Sequence, residues 1–412
     1  MAQVNIVPKI RFPEFEDFWN EKKMGEVFIN SRKKGNASLP IYSVSQAHGL
    51  ISRDSLERNI QKNAKAEDNL AVVSGDLVYN MMRMWQGAIG LAHTESMVSP
   101  AYVVLHPKKN QNSSFYSYLF AKKRSLYLFW AYSYGLTDDR LRLYFKDFSD
   151  IKRNVPSYSE QQKIAYFLTV FDKRIQLLQK KKAKLEDYKK GLMQQLFPPK
   201  GGQAPETRFK NENGKDFPNW EEKKLGAIGS TFNGLTGKTK VDFGKGKPYV
   251  QYMQIFGNSK INLEDFGLVE IEEGENQSKV QYGDIFFTTS SETPNEIGTA
   301  SVLLDEVDEV YLNSFCFGFR PNSLTELVPE YSRYLFRSEL FRREIIKLAQ
   351  GSTRFNMSKV ELMKLVVLLP IEDEQKKIAE FLNSLDDLLE SIVTEIEGTK
   401  EYKTGLLQKM FV

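Results

Sequence analysis

One cysteine, three histidines and a net charge of only +4 are all that 412 residues hold of reactive or strongly charged chemistry. The lone Cys316 excludes an internal disulfide framework and fits a reducing compartment. Set in the apolar run NSFCFGFRP, it reads as a buried, inert thiol. His48, His93 and His106 are scattered, with no cysteine or carboxylate at ligand spacing, so no metal site is expected. No apolar stretch nears the length of about 18 residues that a membrane span needs, and no leader is written. The chain is therefore expected to be soluble and cytoplasmic, without a membrane partner. HExxH, GxSxG and the dinucleotide fingerprint are missing. FNGLTGKTK (232–240) contains GKT, but Gly234 and Gly237 stand too close for a phosphate loop, and a basic loop is the plainer reading. No catalytic constellation remains. Net charge this small decides nothing about nucleic acid, because local patches matter more than the total.

What is present is written twice. EQQKIAYFLTVFD at Glu160–Asp172 returns as EQKKIAEFLNSLD at Glu374–Asp386, 214 positions later. WNEKKMG (19–25) returns as WEEKKLG (220–226), and each is preceded by a Phe-Pro pair, Phe12-Pro13 and Phe217-Pro218. GDLVYN (75–80) answers to GDIFFT (283–288), each with a glycine fifteen positions after the first, Gly90 and Gly298. Tyr118-Leu119-Phe120 matches Tyr334-Leu335-Phe336, and the loops GLTDDR (135–140) and GSTR (351–354) are similarly placed. Two large copies indicate a duplication rather than a solenoid. The stretch from Pro198, rich in Pro, Gly and charge, reads as a linker. Within each half, β-branched and aromatic runs alternate with segments at helical spacing, which makes the class α+β.

Each half ends in a long helix. In the first, Ile164, Leu168, Phe171, Ile175, Leu178, Leu185, Leu192 and Leu196 occupy steps of four and three, with Lys182 and Lys189 filling the pattern. In the second, Ile378, Leu382, Leu385, Leu389, Ile392, Ile396, Leu406 and Met410 do the same, with Thr399 and Lys403 between them. Such spacing predicts a coiled-coil seam, with Lys189 and Lys403 at matched positions where they could set register. Ser157 and Glu160 predict a capping box, and Pro198-Pro199 a stop. A helix of this length is about 60 Å long. Residues 155–197 carry nine Lys/Arg against four Asp/Glu; residues 369–412 carry five against ten. Helices of opposite charge attract each other and repel copies of themselves, so the two are expected to pair within the chain, antiparallel and related by a pseudo-two-fold. The alternative is that each packs only on its own lobe.

Polar and basic segments offer binding chemistry in both lobes. In the first they hold Lys33, Lys34, Gln46, Arg53, Asn80, Arg83, Trp85 and Arg140; in the second Lys238, Lys240, Gln251, Gln254, Thr289, Ser290 and Arg354. Lys and Arg neutralise phosphates, while Arg, Asn and Gln reach base edges in pairs of hydrogen bonds. Unlike loops on a like frame would read different sequences.

With these motifs in hand, the sequence resembles the specificity subunits of Type I restriction-modification systems. The resemblance runs along essentially the whole chain: the doubled W-x-x-KK-[ML]-G, VVSGDLVYNMMRMWQGAIG with SPAYVV, PYVQYMQIF, GSTRFNMSKVEL and the paired EQ-x-KIA-x-FL helices. It implies a target-recognition domain at 1–153, a helix at 154–197, a linker and entry to the second half at 198–219, a second target-recognition domain at 220–368 and a second helix at 369–412. It further implies no catalysis and no cofactor in this chain, and a split double-stranded DNA target read one half per domain. The implied partners are two modification subunits carrying S-adenosylmethionine and restriction subunits using ATP and Mg. The first lobe departs from the pattern in having GLTDDR where the second has GSTR.

Overall fold

The computed structural model describes residues 7–55, 65–137, 140–199, 202 and 204–412. The chain divides into two units: residues 1–179 with 394–412, and residues 180–393. Each long helix therefore contributes its two ends to different units.

Unit 1 is built on a four-stranded antiparallel sheet in the order Phe28–Ser31, Tyr102–Pro107, Leu77–Asn80, Ile89–Leu91. Unit 2 repeats it with Gly229–Asn233, Cys316–Pro321, Ile285–Thr288 and Ala300–Val302. In the central strands, Val103–Leu105, Leu77–Tyr79 and Ile285–Phe287 are buried apolar runs, because both faces are covered. Alternate residues serve different cores, as a period of two requires. Leu77 and Tyr79 join Phe28, Leu105 and Phe115 on one face, while Val78 joins Val72, Val98 and Val104 on the other. Likewise Ile285 and Phe287 pack with Phe317, Phe319 and Phe336, and Phe286 packs with Val250, Leu312 and Cys316. Burial there pushes the Cys316 thiol pKa up.

The repeated Trp-x-x-Lys-Lys segments are strands. Asn20–Lys23 pairs with Lys152–Val155, and Glu221–Lys224 with Val366–Leu369, both antiparallel. Each ribbon ties the start of a lobe to the residues leading into its long helix. The lobes differ at one place above all. Ile41 and Tyr249 stand in matching parallel bridges, to Met97 and Tyr311. Beyond them unit 1 makes a hairpin, Tyr42–Ser45 with Gly49–Ser52, and unit 2 a short helix, Tyr252–Gly257.

Strand register corrects one alignment made on sequence. Tyr79 faces Ile89 and Phe287 faces Ala300, so the counterpart of Gly298 is Gly87, not Gly90. Backbone conformation agrees: Gly87 has φ +89° and Gly298 φ +60°, a region that favours glycine.

The long helices run Tyr158–Leu196 and Glu372–Met410. In unit 1 the beginning of the first lies beside the end of the second: Phe171 packs on Tyr402 at 5.6 Å, and Arg174 Nη2 meets Glu395 Oε1 at 2.7 Å. In unit 2 the end of the first lies beside the beginning of the second, where Lys189 pairs with Asp386. The pairing is antiparallel. Ile164, Leu168, Leu196, Ile378, Leu382, Ile392, Ile396, Leu406 and Met410 are buried; Phe171, Ile175, Leu178, Leu185, Leu192, Leu385 and Leu389 are half-buried. The seam ends also belong to the lobes. Ile164, Leu168, Leu406 and Met410 complete the first core, and Leu196, Ile378 and Leu382 the second.

Candidate nucleic-acid interface

The repeated thirteen-residue motif makes matching structural contacts at its two ends in both units. Its first residue is a buried carboxylate. Glu160 accepts from Arg11 Nε and Nη2, both at 2.7 Å, and from the Trp19 indole at 3.3 Å. Glu374 accepts from Arg208 Nε at 2.9 Å and Nη2 at 2.6 Å, and from the Trp220 indole at 3.1 Å. The expected capping box is half made. Ser157 Oγ accepts from the Glu160 amide at 3.4 Å, but the Glu160 side chain is turned to Arg11 and Trp19. Its second residue caps a lobe helix. Gln161 Oε1 takes the Asn112 amide at 3.1 Å, ahead of helix Ser113–Phe120, and Gln375 Oε1 takes the Val328 amide at 2.9 Å, ahead of helix Pro329–Leu335. Its last residue binds the other long helix, Asp172 to Lys403 and Asp386 to Lys189.

Arg11 and Arg208 were not singled out on sequence, and Arg208 lies inside the stretch read as linker. The entry to the second half begins by residue 208: Phe209 packs on Phe381 at 5.6 Å as Phe12 packs on Phe167 at 5.6 Å. The signal was the doubled Arg-Phe, masked by Pro/Gly-rich surroundings. The Phe-Pro alignment catches the other half of the contact, since Lys163 lies 4.9 Å from the Phe12 ring and Lys377 5.7 Å from Phe217.

The candidate binding residues sort by what they touch. Lys33, Lys34, Gln46, Arg83, Arg140 and Lys240 are exposed. Arg53 Nε donates to Ser43 Oγ at 3.1 Å. Asn80 Oδ1 accepts from the Met82 amide at 2.9 Å, and the Trp85 indole donates to the Met82 carbonyl at 3.2 Å, so both shape a turn. Gln251 is exposed, although its amide also donates to the Asp265 carbonyl at 3.1 Å.

Of four others in unit 2, three are turned toward protein and Thr289 is half-buried. The Lys238 side chain is 7% exposed and paired with Glu275, so it faces protein. Gln254 is buried, its amide given to the Asn262 carbonyl on the inner side of its helix. Thr289 gives its hydroxyl to the Phe315 carbonyl at 2.7 Å. Ser290 is buried and accepts from Arg354 Nε at 2.7 Å, so it positions that arginine rather than reaching outward.

Arg354 itself is exposed and lies 5.7 Å from the Phe315 ring. With Tyr252, Met253, Phe256, Glu292 and Phe315 it lines a cavity of about 380 Å³. Arg140 holds the same place in unit 1. Tyr134 bridges Arg142 and Gln350 bridges Asn356, and each arginine stands two residues before the closing partner. Asp138 and Asp139, between Gly135 and Arg140, lie outside the described residues. Met253, Glu292 and Phe315 were missed on sequence. Phe315 looks like part of a strand, but an Asn313 turn, in which Oδ1 accepts from the Phe315 amide at 2.8 Å, holds it outside the sheet.

The Lys238–Glu275 contact predicts a pH effect. Lys238, then Gln277 and the Glu272 amide, hold the Glu275 carboxyl down to about 2 from its ordinary 4.5. A depressed carboxyl stabilises fully above its unfolded value and loses that contribution as pH falls through the folded value. Protection of the 235–242 amides against hydrogen exchange, corrected for intrinsic rates, is expected to fall between about pH 4.5 and 2. In Glu275→Gln it is expected to be flat over that range.

Among the described residues, no three His, Cys, Asp or Glu stand together as a metal site, and no helix is long and apolar enough to cross a membrane.

Comparison with known proteins defines the class. The chain belongs to the family of the Type I restriction modification DNA specificity domain, whose model matches residues 15–187 and again 218–398. It is 29% identical over 280 residues to the Type I restriction enzyme MjaVIII specificity subunit of Methanocaldococcus jannaschii, a match covering 64% of this chain and 61% of that protein. The aligned region thus spans less than two thirds of that relative's length. Two solved structures share the fold. One is the crystal structure of a Type-I restriction-modification system S subunit from M. genitalium, at 14% identity over 99% of both chains with a TM-score of 0.55. The other is a chain from work on complex assembly and conformational transition of the type I R-M system, at 16% identity over 95% of this chain and 97% of that one, with a TM-score of 0.56.

Proposed function

We propose that this chain is the sequence-reading, non-catalytic subunit of a Type I restriction-modification complex, and that each unit reads one half of a split double-stranded DNA target. The observation that carries this reading is one frame built twice with unlike tips. The family model matches both halves, the two four-stranded sheets share order and register, and the lobes part company at the hairpin Tyr42–Ser52 and the helix Tyr252–Gly257. Phosphate contacts place a protein on DNA, and side chains on its variable loops choose the sequence. A single half-site recurs often, and one wrong base pair costs only about 1–3 kcal/mol. Carrying both readers on one chain makes the second contact intramolecular, at high effective concentration.

The partners are two modification subunits, which bring S-adenosylmethionine, and restriction subunits, which bring ATP and Mg. Lys33, Lys34, Gln46, Arg83 and Arg140 in unit 1, and Lys240, Gln251 and Arg354 in unit 2, supply the contacts to DNA. The paired long helices, Tyr158–Leu196 and Glu372–Met410, present on their outer faces the surface on which the modification subunits dock.

The test is an exchange of residues 1–153 for the same lobe of a relative with a different target, in cells that carry the modification partner. Genome-wide methylation mapping is expected to show one half of the bipartite motif replaced and the other retained. Replacement of both halves, or of neither, would refute one reader per half.

A further inference from the structure

This inference rests on the DNA-reading function proposed above and asks which side chains of unit 2 do the reading. Unit 2 has seven arginines. Six commit terminal nitrogens to protein acceptors: Arg208 to Glu374, Arg320 to Asp284, Arg333 to Asp386, Arg337 to the Ile255 carbonyl, Arg342 to the Gly298 carbonyl and Arg343 to Glu339. Arg354 differs. Its Nε is fixed by the buried Ser290 hydroxyl, its plane lies beside Phe315, and among the described residues its two terminal nitrogens have no acceptor. A guanidinium anchored at one nitrogen and open at two is pre-set to take an anionic oxygen from outside. Arg140 stands at the matching distance before the closing bridge in unit 1, so an arginine is available at that place in both halves. An arginine held on a phosphate positions its reader and specifies no base.

The other exposed side chains of the same cavity are not shared. Met253, 66% exposed, stands on the helix that unit 1 replaces with a hairpin. Phe315, 55% exposed, precedes Cys316, whose register counterpart is Tyr102, so Phe315 falls where unit 1 has Ala101. Glu292 is exposed and, among the described residues, no protein group donates to its carboxylate. The turn from Thr288 to Gly298 is three residues longer than its counterpart from Asn80 to Gly87, so Glu292 stands on a turn that unit 1 builds differently. A carboxylate beside a phosphate path is repelled unless a base amino group satisfies it, and in the major groove glutamate accepts from cytosine N4. Apolar side chains there contact the thymine methyl.

We propose that Arg354 grips a backbone phosphate while Glu292, Met253 and Phe315 read the half-site of unit 2 in the major groove. Glu292 accepts from a cytosine amino group, and Met253 and Phe315 lie against thymine. The division of labour separates strength of binding from choice of sequence within one cavity.

Full-length Glu292→Gln, Met253→Gln, Phe315→Ala and Arg354→Lys, each expressed with the modification partner, test this by methylation mapping. The first three sites are on the surface, and melting curves matching the parent establish that the variants fold. Glu292→Gln is expected to shift one cytosine of one half-site toward adenine, since glutamine pairs with adenine. Met253→Gln and Phe315→Ala are expected to cut discrimination at a neighbouring thymine by about 10- to 100-fold. The other half-site and the spacing stay as they were. Arg354→Lys is expected to lower methylation at all sites with the motif intact. An unchanged motif in the first three variants, or a change in the other half, overturns the assignment. A motif altered at a guanine by Arg354→Lys would make that arginine a base reader and overturn its role as the grip. A parent chain that yields no bipartite motif would sink the function itself, and this inference with it.

Discussion

Glu374→Ala is expected to destabilise unit 2 by about 3–5 kcal/mol, and Glu160→Ala to do the same to unit 1. Both carboxylates are almost fully buried, while the arginines that hold them are 13% and 16% exposed. Hydrogen bonding to the carboxylate raises each guanidinium's pKa, outweighing the opposing effect of burial. Removing the carboxylate leaves that charge against the indole of Trp19 or Trp220 with one backbone carbonyl each, Asp17 or Pro218. The cost comes from the stranded charge rather than from the worth of the pair. Two companion variants separate those terms. Arg208→Lys keeps the charge but cannot span both oxygens of Glu374, and is expected to lose about 1–2 kcal/mol. Arg208→Met with Glu374→Leu removes both charges and is expected to recover most of the loss. Urea unfolding, with hydrogen exchange to assign each transition to its unit, measures all three. A shift below about 1 kcal/mol for Glu374→Ala would mean that water reaches the guanidinium and the site is not closed.

The repeat was legible because identical contacts demand identical residues. Glu, Gln and Asp at the ends of the motif each serve a partner that the second copy also has. The seam was legible for a simpler reason: steps of four and three are a property of the helix itself. Arg11 and Arg208 carry the signal of the repeat only in a doubled Arg-Phe, and their partners stayed hidden because each lies about 150 residues or more from its carboxylate and only the fold brings them together. Composition misled at Arg208 and Phe209, where a polar, Pro-rich stretch is nonetheless docked. At the binding surface the limit is geometric. Gln251 and Gln254 are three residues apart, yet one faces solvent and the other is inside. Lys238 and Lys240 flank one threonine, yet only the first is captured by Glu275. Residue type advertises the chemistry, and the side of the turn on which it falls decides whether DNA can meet it.

Asp386→Ala should cost about 2–3 kcal/mol, and Asp172→Ala about 1–2, an asymmetry that residue type alone would not suggest. Both aspartates close the same motif, accept from a lobe tyrosine and pair with a lysine of the other long helix. Tyr334 donates to Asp386 at 2.8 Å and Tyr118 to Asp172 at 2.5 Å, and burial raises the pKa of both phenols so that they stay protonated donors. The lysines also lie over those rings, Lys189 5.1 Å from Tyr334 and Lys403 5.0 Å from Tyr118. The difference lies in a third partner and in water. Arg333 reaches Asp386 at 2.9 Å, whereas position 117 in unit 1 is a serine whose hydroxyl donates to the Ser114 carbonyl. Asp386 is 18% exposed against 35% for Asp172. Loss of Asp386 therefore strands two cations, Lys189 and Arg333, whereas loss of Asp172 strands Lys403 alone. A double-mutant cycle of Lys189→Met with Asp386→Asn is expected to give a coupling of about 1–2 kcal/mol that survives 0.5 M salt. The cycle of Lys403→Met with Asp172→Asn is expected to be smaller and to fade with salt. Equal couplings in the two units would mean that Arg333 contributes nothing, and that these lysines hold the helix register by position alone.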